Sequence, residues 1–85
     1  MKEMNSLWTK IHMLVNDIVE NQRDQLLTCG RRIIPTLTSE DILQPNDYME
    51  LENNPYFRYE EGTLAGIQAV QMALLALTKE TENKV

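Results

Sequence analysis

The sequence predicts an all-α fold, an antiparallel helical hairpin of two long helices with an ordered connector that contains one or two short helices. Three observations carry that prediction. Apolar residues recur at helical spacing from Ser6 to Ile33, a second apolar stretch with almost no charge follows "NNP" near residue 55, and the segment between them holds turn and capping signals instead of strand alternation.

The first long helix is expected over about 6–33. Leu7, Trp8, Ile11, Leu14, Val15, Ile18, Leu26, Cys29 and Ile33 fall within one broad arc when each residue turns by about 100°. Lys10, Asp17, Glu20, Arg23, Asp24 and Arg31 fall opposite. Gly30 weakens the last turn, Arg31 and Arg32 suit the negative end of the helix dipole, and Pro35 stops the helix.

Residues 35–54 form the connector. Thr38 with Asp41 three residues on has the pattern of a capping box, and Gln44, placed before Pro45, is pushed out of helical dihedrals. Asp47 with Glu50 repeats the pattern. Short helices are therefore expected near 39–44 and 48–53.

The second long helix is expected over about 55–79, with Asn54 as N-cap, Pro55 at the first helical position, and Glu60 and Glu61 near the positive end of the dipole. Gly62, Gly66, Ala69, Ala73 and Ala76 line one side as a row for close helix packing. Tyr56, Tyr59, Ile67, Val70, Leu74 and Leu77 line the next side, leaving a narrow strip around Glu61, Gln68 and Lys79 for water. Residues 80–85, "ETENKV", read as a frayed polar tail.

A chain of 85 residues makes one domain, and two helices of this length do not cover such apolar arcs alone. A homodimer with a four-helix bundle core is the expected solution. Net charge is −5, but residues 35–61 hold seven acidic groups and one basic group, a patch of −6 on a nearly neutral frame. Such a patch repels phosphate backbones and favours a basic protein partner over nucleic acid.

Cys29 is the one cysteine, so no disulfide forms within the chain and no Cys/His set offers a structural zinc site, which fits a cytoplasmic protein. The N-terminus does not read as a signal peptide. The uncharged run "GTLAGIQAVQMALLALT" has 17 residues with Gln68 and Gln71 inside it, which reads as a buried helix and not as a membrane span of about 20 apolar residues.

Chemistry-bearing groups are few. Asp17, Glu20 and Asp24 with Glu60 and Glu61 invite a magnesium site of the kind that helical nucleotide hydrolases build from acidic pairs, yet the first three lie opposite the apolar arc and Leu64 and Ala65 stand where a further acid is needed. The sequence therefore predicts no metal and no cofactor. His12 has no nucleophile placed beside it, Cys29 reads as a small buried hydrophobe, and "NDYMELENNP" lacks the central glycine and acid spacing of a calcium loop. Gln22 and Gln71 approach the apolar faces, where buried amides need partners and fix helix register.

These readings predict a small non-enzymatic interaction or adaptor module. Its expected binding surface is the outward face of residues 46–61, from the acidic connector into the first turns of the second long helix, with Tyr48, Tyr56, Arg58, Tyr59 and Glu61 as contact residues, since tyrosine and arginine anchor interfaces. A structural ion pair is expected between Arg31 or Arg32 and Glu60. The alternatives are a carboxylate metal-dependent nucleotide hydrolase and a helical-hairpin RNA-binding dimer using Arg23, Arg31 and Arg32.

Overall fold

A computed structural model describes residues 2–83, with the side chains of residues 6–82. Helix α1 spans Lys2–Ile33, the one-turn helix α2 spans Met49–Glu52, and helix α3 spans Pro55–Asn83. α1 and α3 pack against each other as an antiparallel hairpin, and no strand occurs among the described residues. The molecule is a rod of 50 × 18 × 16 Å, the length and girth of two adjacent helices.

The ends of the elements follow from local chemistry. Thr38 and Asp41 cap each other: the Thr38 N–H donates to Asp41 Oδ2 at 2.9 Å, and the Asp41 N–H to Thr38 Oγ1 at 3.2 Å. The turn they open is a 3-10 helix over Asp41–Leu43, closed at Gln44 as the following proline dictates. A second 3-10 turn, Pro45–Asp47, takes up the residues expected to cap α2, so α2 starts after Tyr48 with no side-chain cap and the Asp47–Glu50 device does not form. Asn54 caps α3 as expected, its Oδ1 accepting the N–H groups of Tyr56 at 3.0 Å and Phe57 at 3.1 Å.

α3 runs further than expected. No glycine or proline follows Lys79, and Thr81 Oγ1 donates to the Leu77 carbonyl at 2.9 Å, so residues 80–83 remain helical. Residues 84 and 85 of the expected tail lie outside the described residues.

The seam between the long helices repeats every seven residues, the spacing that keeps two helices in register. α1 contributes His12, Val19, Leu26 and Ile33 together with Trp8, Val15, Gln22 and Cys29; α3 contributes Phe57, Leu64, Gln71 and Thr78 together with Glu60, Ile67, Leu74 and Thr81. Every one of these is buried or half-buried. This seam corrects the expected rotation of α3. Gly62, Gly66, Ala69, Ala73 and Ala76 are exposed, and a β-carbon added at Gly62 or Gly66 meets nothing within 4 Å. The small row points away from α1 because α3 is apolar almost all round, which leaves its rotation to be set by which residues find partners across the seam.

The core sits at the connector end. Leu26, Leu37, Ile42, Leu51 and Phe57 form one buried cluster, with Leu27, Cys29, Ile33, Ile34, Tyr48 and Leu64 packed around it. Leu51 and Phe57 are 0% exposed, so the connector completes the core. Gly30 is required there: a β-carbon would collide with the Leu37 Cδ2 methyl and lie 3.4 Å from Phe57 Cε1. Further along the hairpin, Val19 is the one buried apolar side chain among the described residues.

Candidate functional site

The expected contact residues do not share a surface. Tyr48 is half-buried against the core, near Asp41. Burial, then the neighbouring Asp41 charge, raises the Tyr48 pKa, while the hydrogen bonds from the Thr38 backbone and hydroxyl lower that of Asp41. Arg58 is an internal staple: its Nε donates to the Glu52 carbonyl at 2.9 Å and its guanidinium meets Glu61 at 2.7 Å and Glu52 at 3.9 Å. Tyr56 and Tyr59, both largely exposed, point to the other side of α3, beside Gln25, Thr28 and Arg32 of α1.

The expected pairing of Glu60 with Arg31 or Arg32 gives way to a different contact. Gln22 Nε2 donates to the Glu60 carboxylate and also to the Glu60 carbonyl at 3.1 Å, whereas Arg31 Nε donates to the Leu37 carbonyl at 2.8 Å. Register decides this. Gln22 lies directly across the seam from Glu60, while Arg31 sits on the outer side of α1 and turns to the chain reversal. The ion pairs among the described residues are Arg23–Glu20, Arg58–Glu52 and Arg58–Glu61, so neither arginine bridges to Glu60.

Two more polar crossings tie the seam. Gln71 Nε2 donates to Asn16 Oδ1 at 2.7 Å. His12 Nε2 lies 3.0 Å from Thr78 Oγ1, whose hydroxyl donates to the Leu74 carbonyl, so the network assigns the proton to His12 Nε2. Trp8 stacks on His12 with ring centres 5.9 Å apart. The sequence reading identified Gln22 and Gln71 as register residues but missed Asn16, His12 and Thr78; their signal was spacing, since His12 and Thr78 fall on seam positions of the seven-residue repeat. Cys29 packs half-buried against the core, and burial followed by the nearby Glu60 charge raises its pKa, with Arg32 opposing.

The two long sides of the hairpin differ in kind. On the side that carries Tyr56 and Tyr59, α1 presents Leu7, Ile11, Leu14, Ile18, Asn21, Gln25 and Thr28, and α3 presents Thr63, Gly66, Val70, Ala73 and Leu77. None of these bears a charge, the charged groups of that side, Asp24, Arg32 and Glu60, standing at its connector end beside the two tyrosines; along the uncharged remainder Leu14 and Val70 are 61% and 58% exposed. On the opposite side the connector folds over the helices and leaves a groove of ≈ 470 Å³ with Leu26, Leu27, Ile42 and Leu64 in its walls and Glu20, Asp24, Glu40 and Glu61 among its lining residues.

Among the described residues no three His, Cys, Asp or Glu side chains converge to hold a metal ion. No helix of the described residues is long and apolar enough to cross a membrane. Compared with known proteins, the chain matches no family model, no curated protein and no solved structure.

Proposed function

We propose that the protein is a non-enzymatic interaction module that works as a homodimer in the cytoplasm, with two hairpins joined through their uncharged sides into a four-helix bundle. The observation that supports this reading is the uncharged side itself. Leu7, Leu14, Ile18, Val70 and Leu77 remain substantially exposed in the single chain. Fully burying a side chain of this kind contributes about 1.5–3 kcal/mol. The exposed row of Gly66, Ala69, Ala73 and Ala76 borders this side and allows the backbone of another helix to approach closely. One free thiol and no disulfide suit a reducing compartment. The connector end keeps its own core and its acidic surface for a partner.

The test is the solution mass together with one paired substitution. Light scattering is expected to return twice the chain mass of 9.9 kDa at micromolar concentration. Ile18→Glu with Val70→Glu is expected to return the single-chain mass while helical circular dichroism persists. A single-chain mass for the unaltered protein at every concentration overturns the reading.

A further inference from the structure

We propose that the groove between α1, the connector and the body of α3 is a docking site for a basic amphipathic segment of another protein. The inference rests on the interaction-module reading and adds the chemistry of the partner.

The groove has the two features such a segment requires. Its walls are apolar, from Leu26, Leu27, Ile42 and Leu64, and Leu43 stands beside them with 74% of its surface exposed. Its charged groups are mostly acids with unequal compensation. Glu20 is met by Arg23 at 3.8 Å and Glu61 by Arg58 at 2.7 Å. Asp24 on α1 and Glu40 on the connector form no ion pair among the described residues, so two carboxylates on different walls face the groove uncompensated.

Charge selects the occupant. A second copy would bring its own net charge of −5 against these carboxylates, and like charges across an interface are costly. A helix or strand that seats a leucine-like side chain on the apolar walls and carries lysine or arginine beside it satisfies both features at once. The volume of ≈ 470 Å³ accommodates a few side chains, so what enters the groove is one segment of the partner. Phosphate-bearing partners are repelled by the same two acids.

The experiment uses the full chain and a synthetic peptide of leucine and lysine, about four turns of helix long, with a control in which every lysine is replaced by glutamate. Amide chemical shifts are followed at physiological salt, and light scattering is run on the same samples. The lysine peptide is expected to shift the amides of Leu27, Glu40, Leu43, Ala65 and Gln68, and the glutamate peptide to leave them in place. Asp24→Lys with Glu40→Lys, both at exposed positions, is expected to weaken binding by roughly tenfold or more, and Ala65→Arg to block the groove. Shifts confined to Ile18 and Val70, equal binding of the two peptides, no binding at all, or binding indifferent to the two charge reversals each overturn the proposal. A dimer that ignores the peptide removes the groove site alone; a single chain that binds it in the groove removes the dimer alone.

Discussion

Gln22 and Glu60 are locked together twice across the helix seam, through the carboxylate and through the backbone carbonyl of the same residue. Both side chains are largely withdrawn from water, so the carboxylate depends on that amide for a donor. Gln22→Met keeps the size and removes the donor, and is expected to cost about 1.5–3 kcal/mol, the range for hydrogen bonds to charged groups. Arg32→Gln is expected to change stability by less than about 0.5 kcal/mol. Urea unfolding of the two variants measures the contrast, and equal losses would restore the arginine bridge.

Gly30 and Gly62 stand in the same kind of helix with opposite surroundings. A methyl group at Gly30 meets Leu37 and Phe57, both locked in the core, whereas at Gly62 it meets open space within the protomer. Replacing glycine by alanine in a helix gains about 1 kcal/mol from propensity alone. Overpacking at Gly30 costs about 1–3 kcal/mol against that gain. Thermal melting is therefore expected to place Gly30→Ala below the parent protein and Gly62→Ala at or above it.

The capping pair of Thr38 and Asp41 makes stability sensitive to acid. Folding lowers the Asp41 pKa, chiefly through the Thr38 backbone hydrogen bond, so the unfolded chain takes up the proton first as pH falls. The contribution is fully present above the ordinary aspartate value of about 3.9 and disappears as pH drops through the lowered value. Asp41→Asn is expected to flatten this part of the stability curve and to leave its slope near neutrality unchanged. Urea midpoints taken across the acid range provide the check, and an unchanged acid limb would show that the cap carries no titration.

Residues whose role is decided within a few neighbours were legible from sequence. Asn54 with Pro55, Thr38 with Asp41, and Pro35 after the arginines marked ends that the structure reproduces. The rotation of α3 was not legible, because Gly, Ala, Val and Leu surround that helix and its seam includes Gln71 and Thr78 where an apolar pattern would not choose them. The Glu60 partner was missed for a related reason. Opposite charge argued for an arginine, but the register across the seam put an amide in reach first. The acidic groove was invisible too, since it joins residues from 20 to 68 that only the folded connector assembles.

Placing the buried cluster beside the connector divides each long helix into two portions with different fates. Backbone amides near Leu26 and Phe57 are expected to exchange only when the whole chain unfolds, whereas those around Leu14 and Ala73, where fewer side chains are buried, are expected to open while the cluster stays intact. On that expectation the hairpin would act as tweezers with a welded base, and its tips carry the exposed apolar stretch that the proposed second subunit would cover.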